Sequence, residues 1–143
     1  MATFTFFHEF KRYMADGTID LDGHTFKVYL SNDAPVVGTD TIKTDVTALA
    51  QTNGYTEWTL TQSWSETGAG TGIWRFANNA DLSFTASGGS VGPFQYVVLY
   101  DDTTTSPVDA LVGYLDVGSA TTITTGNTFT VDLDANFSFF TLS

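Results

Sequence analysis

The residues of this sequence best suited to chemistry are its carboxylates, a serine in a glycine-rich run and three tryptophans. Asp16, Asp20 and Asp22, followed by Gly23, bring oxygen ligands close together, as a loop that binds a hard cation such as calcium must. Their spacing departs from the EF-hand pattern, which needs glycine at its sixth position and glutamate at its twelfth, so the segment reads as a solvated turn entering a strand. Asp101-Asp102 falls in a Thr-rich turn, and Asp132 and Asp134 alternate with Val131 and Leu133 as an exposed strand face would. Gly88-Gly89-Ser90-Val91-Gly92 fits the G-x-S-x-G pattern of a nucleophilic serine on a strand-to-helix turn. Here Pro93 and an apolar run follow in place of a helix, and both histidines, His8 and His24, precede the serine, so the pattern reads as a turn. Glu9, Glu57 and Glu66 could supply a glycosidase acid and base beside Trp58, Trp64 and Trp74, whose rings could stack on sugars. Nothing in the spacing brings two of them together. Gly68, Gly70 and Gly72 precede neither a helix nor a nearby lysine, so they form no phosphate cradle. The expectation is no catalytic residue, no cofactor site and no metal site; the absence of cysteine also removes disulfides, Cys-ligated zinc and a thiol nucleophile.

The elements that would position these residues change rhythm along the chain. Phe4, Phe7, Phe10 and Met14 fall at helical spacing with Phe6 and Tyr13 beside them, which predicts one short helix over residues 4 to 15. Thr3 would cap its start, Lys11 and Arg12 would complement its negative end, and Gly17 would stop it. From Thr25 the period becomes two, so Phe26, Val28 and Leu30 line one face of a half-buried strand. A Thr- and Asp-rich stretch to Asn53-Gly54 reads as a long surface loop with one helical turn. Trp58, Leu60, Gln62 and Trp64 alternate along one strand. It forms a hairpin, through the Gly68 to Gly72 turn, with a strand from Ile73 to Phe76. Further strands follow at Leu82 to Thr85, Phe94 to Tyr100, Leu111 to Val117, Phe129 to Leu133 and Phe137 to Leu142, with the almost wholly apolar 94–100 run covered on both faces. Short strands at regular intervals predict an all-β fold, an antiparallel β-sandwich of jelly-roll type with one short N-terminal helix, forming a single domain over residues 1–143.

Composition narrows the partners. The chain has 143 residues and a formal charge of −11, with 16 acidic residues against 5 Lys and Arg, and only 15% of residues are charged. Nucleic acid and an anionic membrane are poor partners for it, because both demand clustered Lys and Arg. No stretch approaches the length of a membrane span, and the start of the chain lacks a basic region followed by an apolar run, so a soluble, cytosolically made protein is expected. The aromatic stripe of the predicted helix is most simply core, with a partner-binding face as the alternative. Trp58 and Trp64, on one face of one strand, read as core or subunit contact ahead of a carbohydrate platform. Phe4, Phe7, Phe10, Tyr13, Trp58 and Trp64 are therefore the candidate interface residues.

Three segments carry a resemblance. Gly92-Pro93-Phe94-Gln95-Tyr96-Val97-Val98-Leu99-Tyr100-Asp101-Asp102, Leu111-Val112-Gly113-Tyr114-Leu115-Asp116-Val117-Gly118 and Gly126-Asn127-Thr128-Phe129-Thr130-Val131-Asp132 resemble, in order, a family of small structural proteins of tailed bacteriophages. The N-terminal helix, Thr25 to Pro35 and Asn53-Gly54-Tyr55-Thr56 agree with it, although Glu57-Trp58 stand where relatives carry small, glycine-rich residues. The resemblance implies a non-enzymatic virion protein, most like a capsid decoration or cement protein. Such a protein is made in the host cytoplasm, binds the major capsid protein on the capsid exterior and often self-associates as a homotrimer. A tail, fibre, baseplate or connector component is the first alternative, and a carbohydrate-binding module the second.

Overall fold

The computed structural model describes residues 2–143. Ten strands and one α-helix follow in the order β1 (Phe4–Phe6), α1 (His8–Ala15), β2 (Phe26–Ser31), β3 (Trp58–Thr59), β4 (Ser63–Glu66), β5 (Trp74–Ala77), β6 (Leu82–Thr85), β7 (Val91–Thr105), β8 (Val108–Ile123), β9 (Thr128–Val131) and β10 (Ser138–Leu142). A single 3-10 turn, Lys43–Asp45, interrupts the long loop after β2. The strands form a five-stranded sheet in the order β1-β8-β7-β2-β3, a three-stranded sheet β10-β5-β4 and a two-stranded sheet β6-β9. All pairings are antiparallel, and the sheets pack in a sandwich-like arrangement, the all-β architecture with one short helix that the strand spacing predicts.

The main core lies between the five-stranded sheet and the two smaller ones. Phe26, Val28 and Leu30 of β2 and Val97 and Leu99 of β7 meet Phe76 of β5, Phe84 of β6 and Phe139 and Phe140 of β10 there. The opposite face of the large sheet is also buried, which corrects the half-buried reading of β2: Tyr29 is fully covered and packs with Phe7, Val46, Val98, Tyr100 and Leu111. The long loop supplies that cover. Tyr29 Oη donates to the Val46 carbonyl at 2.9 Å, and Leu49 N donates to the Leu30 carbonyl at 2.8 Å. Tyr55 Oη accepts the Leu30 N–H at 2.8 Å. Because β3 pairs only with Lys27 and Val28, the outward backbone groups of Leu30 have no strand partner, and the loop satisfies both.

The N-terminal segment divides where one helix was expected. Residues 4 to 6 form β1, with Phe4 opposite Leu115 and Phe6 opposite Gly113 of β8. The open edge of β8 offers backbone partners that an isolated first helical turn lacks, and phenylalanine suits a pleated surface well. Gly113 makes the fit possible, since a Cβ there would collide with the Phe4 ring and stand 2.5 Å from the Thr5 carbonyl oxygen. Thr3 does not cap the helix. Phe7 occupies the N-cap without a side-chain bond, and His8 N donates instead to the Val37 carbonyl at 3.0 Å. The C-terminal expectation agrees with the structure: Arg12 pairs with Glu9 and Asp16, and Gly17 takes the left-handed conformation with φ of +80°.

Trp58 and Trp64 likewise lie on different strands of different sheets, which corrects the single strand read through them. The chain turns the corner between them because side chains capture it. Thr61 N donates to the side-chain Oδ1 of Asn78 at 2.8 Å, and Gln62 Nε2 donates to the His24 backbone carbonyl at 2.6 Å.

The Asn53-Gly54 turn packs against the glycine-rich Ser90 turn. Ser87 N donates to the Asn53 carbonyl at 2.8 Å, and Asn53 Nδ2 donates to the Ser90 carbonyl at 2.9 Å. Gly54 has φ of +91°, and any Cβ there would overlap the Thr85 carbonyl. Gly54→Ala therefore combines backbone strain with a clash against main chain that cannot swing aside. It is expected to cost about 1–3 kcal/mol of unfolding free energy. Urea denaturation checks this, and an unchanged midpoint would show that the turn does not pack as described.

Candidate functional site

The carboxylates are engaged in local structure. Asp16 accepts hydrogen bonds from the hydroxyl and N–H of Thr18, and Asp20 accepts the N–H groups of Asp22 and Gly23. These bonds hold both carboxyls below the usual carboxylate range. Among the described residues no three His, Cys, Asp or Glu side chains are grouped so as to hold a metal ion. The three glutamates have separate duties. Glu9 pairs with Arg12, and Glu66 closes the β4–β5 turn by accepting Gly70 N at 3.1 Å and Gly72 N at 2.7 Å. Glu57 accepts from Lys43 Nζ at 2.5 Å and from Tyr100 Oη at 2.8 Å. Ser90 is exposed on its turn, and the imidazole of His24 is committed elsewhere, to Asp101 at 2.6 Å.

The Lys43 cluster pins the long loop to the large sheet. The ammonium lies 4.7 Å from the Tyr100 ring centroid and 5.5 Å from that of Tyr29. Burial pushes both phenols above the ordinary range, and Glu57 pushes that of Tyr100 further. A cleft of about 390 Å³ beside it is lined by Lys43, Thr44, Val46, Thr47, Ala48 and Asp109. Its one cation is already neutralised by Glu57, so the cluster does structural work and leaves no free charge to take an anion.

The candidate interface residues separate into two groups. Phe7, Phe10 and Tyr13 are at most 3% exposed and packed in the chain's own cores, so the helix stripe is core in this conformation and not a partner face. Phe4 is half-buried, with its ring 5.1 Å from that of Phe140. Trp58 is also half-buried; it packs on Tyr55 and Phe84, and its Nε1 donates to the Ser83 carbonyl at 3.2 Å.

Trp64 belongs to an aromatic surface that only the strand register reveals. It stacks on Trp74 with ring centroids 5.8 Å apart and planes 24° from parallel. Ile73 and Trp74 are 39% and 41% exposed at the turn end of the β4–β5 hairpin. Sequence spacing put Trp64 on a face with Trp58, but its neighbour is the diagonal residue across the hairpin. Glu66 pairs with Trp74 and Trp64 with Phe76, which brings the two indoles together. A second apolar opening of about 300 Å³ lies where β8 and β9 diverge.

Charge sets the character of the remaining surface. Arg12, Lys27 and Lys43 are in ion pairs, so the uncompensated charge is acidic. No protein family, curated protein or solved structure matches the chain in comparison.

Proposed function

We propose that the protein is a non-enzymatic structural component of a tailed-phage virion, most like a cement protein that binds the major capsid protein on the outer shell. The observation that supports this reading best is exposed Trp74, stacked on half-buried Trp64 and preceded in the chain by exposed Ile73, on a short hairpin of a markedly acidic chain. Amphipathic aromatic side chains carry much of the energy of protein interfaces, and an acidic exterior is repelled by packaged DNA, which favours an outer position. The function would be to bury surface across the junctions between capsid subunits, so that the assembled shell gains the free energy of binding. Self-association as a trimer would cover open sheet edges such as that of β4.

Purified heads test the reading directly. The wild-type protein is expected on heads at a stoichiometry set by lattice positions and to raise their melting temperature. Trp74→Ser is expected to weaken head binding by about tenfold or more while the free protein still folds. Absence of the protein from heads sinks the proposal, and recovery from tails freed of heads moves the role there. Tryptophan quenching by a glycan, lost in Trp64→Ala, would instead favour carbohydrate binding.

A further inference from the structure

The sandwich is left open on one side, and the opening has strand edges on both lips. β9 pairs with β6 along one edge, through Val131 with Leu82 and Phe129 with Phe84; among the described residues no strand pairs with its other edge. β8 has β1 alongside it only over Gly113 to Leu115, and beyond Leu115 its outer edge has no partner strand among the described residues. The cleft of about 300 Å³ between them is lined by consecutive runs, Leu115 to Val117 of β8 and Phe129 to Val131 of β9 with Asp132 directly after it, together with Ala2 and Val97. Val97, Leu115, Phe129 and Val131 pack in the main core or against it, so the floor is core surface reached from outside, and Val117 is 37% exposed at its lip.

Among the described residues the charges of the cleft have one sign, those of Asp116 and Asp132, which line it. Asp116 is fixed in place by accepting Gly118 N at 2.8 Å and Gln95 Nε2 at 3.0 Å, whereas Asp132 is exposed. Open strand edges offer main-chain hydrogen bonds to an extended peptide, and alternate side chains of that peptide would face the apolar floor and the outer rim in turn. The carboxylates select the outer ones as basic.

We propose that the cleft between β8 and β9 is a docking site for an extended segment of a partner protein in which apolar residues alternate with Lys or Arg. This site is distinct from the Trp64–Trp74 surface and stands whether or not the protein belongs to a capsid.

Two capped peptides of equal length probe it, one alternating Val and Lys and the other alternating Val and Glu, each titrated into the ¹⁵N-labelled full chain. The Lys peptide is expected to shift the amides of Val117 to Ala120 and Phe129 to Asp132 and slow their hydrogen exchange, with the Glu peptide inert. Asp132→Lys, whose own spectrum reports that it folds, is expected to weaken Lys-peptide binding by about tenfold or more. Unmoved cleft amides at millimolar Lys peptide overturn the proposal. So do shifts centred elsewhere, equal binding of both peptides, or unchanged affinity in Asp132→Lys. A concentration-dependent dimer that Asp132→Lys dissociates would assign the cleft to a second copy and overturn it as well.

Discussion

Replacing Phe76 by alanine is expected to lower the unfolding free energy by about 3–5 kcal/mol, the range for removing a buried aromatic side chain and leaving a cavity. Phe76 is fully buried in β5. Its ring lies 5.1 Å from that of Phe26, at 74°, and 5.2 Å from that of Phe140, nearly parallel at 6°. Phe139 adds a third contact at 6.2 Å. Phe26 belongs to the five-stranded sheet, whereas Phe139 and Phe140 belong to β10, so one side chain ties the two layers together. The surroundings cannot collapse to fill the space, because Phe140 is itself held by Phe4, Phe6 and Phe10. Phe76→Leu keeps most of the volume and is expected to recover much of the loss. Denaturant titration of both variants provides the check. A loss below about 1 kcal/mol for the alanine variant would mean that the layers are not joined here.

What made most of the sheet readable was alternation against turn residues. β6 coincides with the Leu82 to Thr85 run, and β7 and β8 contain the Phe94 to Tyr100 and Leu111 to Val117 runs and extend well beyond them. The extension rests on partners: residues 101–105 and 118–122 show no apolar alternation, yet Val91 pairs with Ile123 and Thr105 with Val108. The Phe4 to Met14 segment shows the converse error. Over so short a run a 3.6-residue period and an edge strand followed by two helical turns are hard to tell apart, and the edge of β8 that decides between them lies a hundred residues away. Tyr29 misled for a related reason, since a tyrosine opposite an apolar face looks exposed until a loop supplies an acceptor for its hydroxyl.

The candidate surfaces were less legible than the fold. Tryptophan content announced aromatic surface, but which indoles meet depends on hairpin register, and a shift of one residue would send Trp64 to the opposite face. The open edges of β8 and β9 have no sequence signal at all, because an edge is defined by the strand that fails to pair with it. Acidity was visible from the start, and its distribution was not. Three of the five cations are paired locally, so the −11 charge is an outward property that a partner must tolerate or match.

The His24–Asp101 pair, 77 residues apart in sequence, supports the second large expectation, a loss of about 2–4 kcal/mol for Asp101→Ala. The Asp101 side chain is completely buried at the end of β2's pairing with β7, opposite Phe26. Its carboxyl shares a hydrogen bond with His24 Nδ1 at 2.6 Å and accepts Thr103 N at 2.9 Å, and alanine would remove the buried partner of both. Burial also pushes the Asp101 carboxyl above its ordinary value, against the opposing pull of the His24 bond and the backbone donors. The sign of the pH dependence follows. The unfolded chain loses this proton first as pH rises, so between the ordinary and the raised value the folded state holds a proton that the unfolded state has released. Stability conferred by this group therefore falls as pH rises through that window and levels off above it. Asp101→Asn abolishes the titration while its amide oxygen still accepts from Thr103. The wild-type stability measured against Asp101→Asn should then be highest in acid and decline to a plateau. The same decline is expected in a His24→Gln background, because burial of Asp101 is unchanged there. A difference that stays flat with pH in both backgrounds, or that grows as pH rises, would show that burial does not dominate at Asp101. The pair would then be held by charge attraction to His24 and not tolerated in spite of its desolvation.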